Sequence, residues 1–565
     1  MLNAERLFWP WTAALLAVLA SAQLLSMRDE SPIWDEPIEL AAGYSYLMTG
    51  DFRMNVEHPP LAKLIQALPL LVMHPSLPLT SASWSEREEA DFGKEFLFRN
   101  RIPPESLLRA ARMASIFLTL GLGVAIAVWT RRYFGPGAAV LALTFYTLDP
   151  TVIAHGHYVK NDIALALFAF LACAAWGSYL SHPSRWRLIL AGIAVGCACC
   201  TKYSAVFLVP VFVILYVIRW WQRTGEASPG AMRSIGGVGL IAAFVILLVY
   251  APATHLLRPA TQQMRAKNPE IRMLYQSITS DVPGAATLIS ISRHLGIQAH
   301  PGLEGVVALL HRNYAVNANY LLGEFSSTGW WYYFPVAFAV KTPVATLGAI
   351  ALAAWLCVRR SPWRRLRSIS FQWFVLLAPL AVYAIASMGS RIDIGIRHLL
   401  PAYPFLFILT AAILVRAQWR WKRFVLPLLV TALAVESVSI YPYYVSFFNV
   451  LAGGPSRGHA ILLDSNLDWG QDAQRLKTWI GAHGVSEICL AYFGIEDLSR
   501  IGIRDLYLPR TREYEQRNAL DCWGAVSVTL REGLYVGPEA FAWLRERKPV
   551  DRIGYSIYIY DLRKQ

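Results

Sequence analysis

Two groups of residues in this sequence are of types, and at spacings, that could carry chemistry. Close behind the first apolar block runs Ser31-Pro32-Ile33-Trp34-Asp35-Glu36-Pro37, followed by Gly43-Tyr44, Gly50-Asp51 and Glu57-His58-Pro59-Pro60-Leu61-Ala62-Lys63. A carboxylate at a membrane edge is partly desolvated and can take a proton from a hydroxyl, which makes Asp35 the candidate general base. The competing local reading is that Asp35-Glu36 caps a helix starting at Pro37, since Asp favours the N-cap and Pro the first turn. A second turn holds Asp149-Pro150, His155, His157, Lys160 and Asp162. Asp162 could orient a substrate hydroxyl, or simply cap a helix starting at Ile163.

The second group is basic. Lys63, Lys202, Lys341 in Val340-Lys341-Thr342-Pro343, and Arg397-His398 in Gly395-Ile396-Arg397-His398-Leu399-Leu400-Pro401 all stand at the ends of apolar blocks. A Lys or Arg at a membrane-helix centre costs about 2.5 to 3.5 kcal/mol, so these residues belong at the interface or beside a polar cavity. Together they would suit a lipid-linked phosphate; singly, each could be a snorkelling anchor. Glu436, inside an apolar block, is expected to hydrogen-bond a neighbouring helix. Glu57 beside His58 is too short a pattern for a zinc signature, and there is no HxxxH. Neither a P-loop nor a GxGxxG opening a helix after a strand is present, so soluble nucleotide chemistry has no seat here.

The elements that must position these residues are membrane helices. Of 565 residues, 55% are apolar and only 16% charged, and the mean hydropathy is +0.38, which excludes a disordered, collagenous or disulfide-scaffold protein. A membrane helix needs about 20 largely apolar residues. The expected spans lie near 8–27, 108–130, 136–153, 162–180, 187–200, 204–220, 234–256, 335–358, 369–388, 399–415 and 424–447. On a soluble chain the net charge of +14 would suggest nucleic acid as partner. Here the basic residues instead collect in alternate short loops, such as Arg131-Arg132, Arg185/Arg187 and Arg359-Arg360, as the positive-inside rule produces. No nucleic-acid partner is expected.

Eleven spans place the N-terminus inside and the C-terminus outside the cytoplasmic (inner) membrane. Ala20-Ser21-Ala22 resembles a cleavage site, but a retained first helix supplies the orientation that puts every later basic loop in the cytoplasm. Residues 28–107, 257–333 and 449–565 are then extracytoplasmic. The chain divides into a membrane domain, 1–448, that includes the first two of these regions, and a small α/β domain, 449–565. That tail alternates apolar runs, Ala460–Leu463 and Glu487–Ala491, with a helical stretch from Asp472 to Ala482. Cys489 and Cys522 lie in it; they could form a disulfide or remain two thiols, because spacing cannot show that they meet.

Asp35-Glu36 after the first helix, the Glu57-His58-Pro59-Pro60-Leu61-Ala62-Lys63 run and Asp162 after the third helix together resemble the C-type (GT-C) glycosyltransferases. Within them the match is to family 39, the protein O-mannosyltransferases and lipid A aminoarabinose transferases. It covers roughly the first 210 residues well. Later pieces, Trp330-Trp331-Tyr332-Tyr333-Phe334-Pro335 and Asp464-Ser465-Asn466-Leu467-Asp468-Trp469-Gly470-Gln471-Asp472 among them, look like bacterial members of that group. The resemblance implies a membrane glycosyltransferase that moves a sugar, with inversion, from a polyprenyl-phosphate donor to an acceptor protein, glycolipid or polysaccharide. It implies Asp35, Glu36 and Asp162 as catalytic acids; the basic residues at the external edge, Lys63, Lys202, Lys341, Arg397 and His398, are on their own chemistry the expected donor-phosphate set. The position of Glu57 matches a residue that binds a divalent metal in the aminoarabinose transferases, and His58 replaces a Lys there. A divalent metal at Glu57 and His58 is the one cofactor this leaves open. The alternative from another class is a polytopic transporter or flippase, but such proteins carry ionisable groups near the midplane on repeated broken helices, and no repeat is evident here.

Overall fold

The computed structural model describes residues 2–222, 230–254, 318–360, 369–517 and 520–563; most of the expected loop 257–333 lies outside them. All eleven apolar blocks are helical. Seven of the described helices are long and apolar enough to cross a membrane, or eight when the bent pair Tyr333–Lys341 and Val344–Arg359 counts as one. The expected block 136–153 is instead split: a 12-residue helix, Pro136–Thr147, stops before Asp149-Pro150, and the Asp149 side chain caps a second short helix, Pro150–His155. The block 187–200 is the 15-residue helix Arg185–Cys199, and 424–447 forms Lys422–Ser439, which carries Lys422, Arg423 and Glu436.

The Pro104–Phe134 helix shows why these segments end where they do. Pro104 opens it where no amide partner is needed, Arg131 and Arg132 sit in its last turn, and Gly135 closes it with φ +92°. The bend of 112° at Thr342-Pro343 follows from proline, which interrupts the hydrogen-bond ladder. Glu436 repairs the new helix start, its carboxylate accepting from the amides of Val344 (2.8 Å) and Ala345 (3.0 Å). The expected interhelical hydrogen bond is thus a helix cap supplied from a neighbour.

Residues 488–561 form a five-stranded sheet of order β4-β3-β5-β7-β6, with β3 Ile488–Ala491, β4 Asp505–Tyr507, β5 Trp523–Ser527, β6 Asp551–Ile553 and β7 Ile557–Asp561. A separate hairpin, β1 Asn319–Leu321 with β2 Glu324–Ser326, precedes the bent helix pair. In the larger sheet β3 runs parallel to β4 and β5, whereas β5–β7 and β7–β6 are antiparallel. Alternation along β3 turns Ile488 and Leu490 toward Leu476 and Trp479 of the Ala473–Ala482 helix, while Cys489 faces the other way and is disulfide-bonded to Cys522. Ala460–Leu463, expected as an apolar run of this domain, forms no strand: it turns away after Pro455–Ala460, and the Ile461 carbonyl accepts from Leu322.

The segment before Asp35 is fastened to the tail. Ser31 N–H donates to the Gln471 carbonyl (2.9 Å), Trp34 N–H to the Trp469 carbonyl (3.0 Å), and Gln474 N–H to Ser31 Oγ (3.0 Å). Below this junction Glu30 meets His157 at 2.9 Å. Buried amides must find acceptors, so these pairs hold two segments more than 430 residues apart in one wall.

Candidate active site

Asp35 is the N-cap residue of the Glu36–Thr49 helix, yet its side chain makes no capping hydrogen bond. Its carboxylate instead meets Lys160 Nζ at 3.1 Å and Arg397 Nη1 at 3.4 Å, both through Oδ2. Arg397 also approaches Asp162 Oδ2 (3.8 Å), and Asp162 Oδ1 pairs with Lys202 Nζ (2.5 Å). Asp162 is the first residue of its helix, not its cap; Asn161 holds that position. Lys160, Asp35, Arg397, Asp162 and Lys202 therefore form one unbroken chain of alternating charge. Both capping alternatives fail for the same reason: at each helix start the nearest strong partner of the carboxylate is a cation from another element.

Four of the five members of this charge chain, Lys160, Asp35, Arg397 and Lys202, line a cavity of ≈1100 Å³; Asp162, expected as a catalytic acid, does not line it but stands behind them, paired with Arg397 and Lys202. From the first loop the cavity is lined by Trp34, Asp35, Glu39, Asn55, Glu57 and His58, and from the helix ends by Lys160, Lys202, Tyr383, Arg397 and His398. The tail contributes Asp464, Trp469, Tyr492, Phe493 and Tyr535. Four of these residues keep a buried side-chain atom without a hydrogen-bond partner: Asn55 Oδ1, His58 Nδ1, Arg397 Nε and His398 Nε2. Such atoms are costly unless a ligand meets them. The Arg397 guanidinium lies over the Trp469 ring at 4.3 Å, which fixes its plane.

Other candidates stand elsewhere. Glu36 is fully buried behind the cavity wall, held by Arg112 Nε (2.8 Å) and Nη2 (2.6 Å) and by the amides of Ile33 and Val159; it does not line the cavity. Lys63 points inward to the Asn55 (2.5 Å) and His58 (2.9 Å) carbonyls, with Glu39 3.8 Å away. Burial pushes its ammonium down to about 8. Lys341 donates to the carbonyls of Val445 (2.8 Å) and Asn466 (2.6 Å). Neither lysine borders the cavity, so both brace the loops around it.

Two participants escape a reading by sequence alone. Glu39, one helical turn after Asp35, joins Lys160 at 2.8 Å, and the i, i+4 spacing from Asp35 was the available signal. Lys160 is buried, which disfavours its charge, but Asp35 and Glu39 outweigh this and hold its ammonium above its ordinary range. Asp464 is the other: burial raises its carboxyl, and it faces Arg397 from the tail.

The metal expectation meets a poor donor set. Among the described residues no group of three or more His, Cys, Asp or Glu is arranged to hold an ion. Burial, then the charges of Lys160, Lys202 and Lys63, hold His58 well below its usual range, so a divalent cation beside it would face three ammonium groups. Glu57 does raise its neighbour Glu89, after burial, to about 7, and Asn55, hydrogen-bonded to Glu89 at 3.1 Å, leaves its Oδ1 unpartnered; two carboxylates and one amide oxygen fall short of a hard cation's full oxygen set. Among the described residues, Glu57 and His58 do not by themselves complete a metal site.

Residues 12–261 match the family model described as dolichyl-phosphate-mannose-protein mannosyltransferase, so the family resemblance read from the sequence is borne out over that part. Among curated proteins, the chain is 27% identical over 124 residues to dolichyl-phosphate-mannose–protein mannosyltransferase 1 of Schizosaccharomyces pombe, covering 21% of this chain and 14% of that protein. It is 30% identical over 162 residues to an undecaprenyl phosphate-alpha-4-amino-4-deoxy-L-arabinose arabinosyl transferase of Pseudomonas fluorescens, covering 27% of this chain and 28% of that one. The chain thus spans less than a third of the length of these relatives. A solved structure of ArnT from Cupriavidus metallidurans bound to undecaprenyl phosphate superposes over 97% of both chains, with 12% identity and a TM-score of 0.45.

Proposed function

We propose that this protein is a membrane glycosyltransferase that moves a sugar from a polyprenyl-phosphate donor to an acceptor hydroxyl, with inversion. The observation that carries the reading is the alternating chain Lys160–Asp35–Arg397–Asp162–Lys202, four members of which line a large cavity beside the unpartnered atoms of His58, Arg397 and His398. The family match over residues 12–261 and the polyprenyl-phosphate donors named for both curated relatives support the same class.

Asp35, the carboxylate between Lys160 and Arg397 in this chain, takes the proton of the acceptor hydroxyl. The freed oxygen attacks the anomeric carbon from the face opposite the phosphate. The bond from that carbon to the phosphate oxygen breaks, and its electron pair leaves with the phosphate. A monophosphate leaves poorly unless its developing charge is met by preorganised cations and donors. Lys202 and Arg397 supply the cations, and the unpartnered Arg397 Nε and the His58 and His398 ring nitrogens lie along the same cavity. Asp162 holds Lys202 and Arg397 in position, and Glu36 sets the first turn of the helix that carries Asp35. Lys63 and Lys341 act through the backbone they hold and not on the phosphate.

The reaction takes place on the outer face of the cytoplasmic membrane, with the N-terminus inside and the tail outside. The arginine bias of alternate loops supports this orientation, and so does the Cys489–Cys522 disulfide, since disulfides persist in oxidising compartments. The acceptor is a protein, glycolipid or polysaccharide of the envelope. The test is transfer in proteoliposomes from polyprenyl-phosphate mannose, glucose or aminoarabinose, with the anomeric configuration of the product read by NMR. An inverted product supports the reading; a retained configuration, or no transfer from any donor, sinks it.

A further inference from the structure

The tail side of the cavity has a chemistry of its own. Trp34, Phe493 and Tyr535 form an offset row of nearly parallel rings: Trp34 to Phe493 is 5.8 Å between centroids at 6°, and Phe493 to Tyr535 is 5.5 Å at 14°. The two outer rings remain 37% and 51% exposed, respectively, although such large rings usually bury more of themselves. Beside the row stands Asp464, a buried carboxylate that accepts from Tyr535 Oη and from the Ser465 amide. Asp464 holds this place with φ +58°, a left-handed conformation that Asp tolerates at some cost and that recurs at binding sites. All four residues line the cavity.

We infer that this row and Asp464 form the acceptor subsite, and that the acceptor they take is a saccharide. The inference rests on the glycosyltransferase reading and adds the chemical class of the molecule that receives the sugar. Flat aromatic faces cover the C–H faces of a pyranose, and a carboxylate at their edge accepts its hydroxyls, so both halves of a sugar's surface find a partner. A lipid chain would gain nothing from a buried carboxylate. An extended peptide is recognised mainly through main-chain hydrogen bonds along a strand edge, whereas the row offers ring faces and side-chain acceptors. The position also serves the chemistry: Trp34 adjoins Asp35 in the chain, and its amide is bonded to the Trp469 carbonyl beneath Arg397. The row, Asp464 and Asp35 line the one cavity, so a sugar on the row shares it with the carboxylate that takes its proton.

Binding to the full-length protein in lipid nanodiscs separates the two claims. The probes are mannotriose, chitotriose and maltotriose, a Ser/Thr-rich decapeptide, and undecaprenyl phosphate for the donor side. The native protein is expected to bind at least one trisaccharide. Trp34→Leu, which keeps apolar bulk but loses the flat face, and Tyr535→Ala should each weaken it at least tenfold, and Asp464→Asn at least fivefold. Undecaprenyl phosphate affinity should stay within twofold in Trp34→Leu and Tyr535→Ala. Binding of the peptide in place of every trisaccharide, or trisaccharide binding that neither aromatic substitution alters, overturns the subsite. Failure of undecaprenyl phosphate to bind the native protein would instead count against the donor reading, independently of the trisaccharide result.

Discussion

Arg397 is the side chain on which the two carboxylates converge, and replacing it gives the most informative perturbation. Its guanidinium stands 3.4 Å from Asp35 and 3.8 Å from Asp162. At an effective dielectric of about 20 each contact is worth about 4 to 5 kcal/mol before desolvation. Solvent reaches Asp35, whose side chain is 24% exposed, and desolvating the guanidinium consumes most of the remainder, so the net ground-state gain is small. The kinetic effect is larger, because charge develops on the leaving phosphate where a preorganised cation already waits. Arg397→Gln should lower kcat about 100- to 1000-fold, or about 3 to 4 kcal/mol. Arg397→Lys keeps the charge but loses the planar fork that reaches both carboxylates and lies over Trp469, so it should fall between the two, about tenfold below native. The assay is transfer from the best polyprenyl-phosphate sugar in proteoliposomes, with kcat and KM measured separately and folding checked by size-exclusion elution. A Gln variant within threefold of native kcat would refute the reasoning.

Glu36→Gln should act on stability, because it leaves the fully buried Arg112 guanidinium without its charge partner; a loss of about 3 kcal/mol or more is expected in detergent unfolding, and a variant with native melting but depressed kcat would make Glu36 catalytic instead. Cys489 and Cys522 close a loop of 33 residues, so Cys522→Ser should cost about 3 to 4 kcal/mol and non-reducing mass spectrometry of the native protein should recover the linked peptide; alkylation of both thiols would contradict this. Asp468 is held by burial at about 8, against about 4 in an unfolded chain. Between those values the native state keeps a proton that the unfolded state has lost, so the contribution is whole below about pH 4 and is lost as pH rises toward 8. The native Tm should therefore fall relative to that of Asp468→Asn between pH 5 and 8, and parallel curves would count against it.

Much of this site can be read from residue types and spacing. Asp35 and Asp162 stand out because they follow membrane helices, and Lys202, Arg397 and His398 because a cation at a helix end needs a reason. The structure brings Asp35, Lys202, Arg397 and His398 to one cavity border, joining Arg397 to Asp35 across 362 residues, with Asp162 behind them. What spacing cannot show is where a side chain points. Lys63 and Lys341 carry the same local signature as Lys202, yet they turn toward backbone carbonyls left unpaired by Asn55, His58, Val445 and Asn466. Those acceptors exist only once the loops are folded. Glu36 and Asp35 differ by one residue and part completely, because a helix turns successive side chains by about 100° and Arg112 waits on one side only. The tail was legible as an α/β unit through Glu487–Ala491 and the helix after Asp472. Its share of the cavity was not, since Asp464, Phe493 and Tyr535 meet Trp34 only through tertiary packing.

The measurement that bears most directly on the account is sugar transfer by Asp35→Asn beside the native protein, in proteoliposomes loaded with each radiolabelled polyprenyl-phosphate sugar. The account predicts transfer by the native protein and a loss of at least 1000-fold in the variant, with unchanged elution and undecaprenyl phosphate binding. Native-like transfer by Asp35→Asn, or label that crosses the bilayer without being transferred, would contradict it.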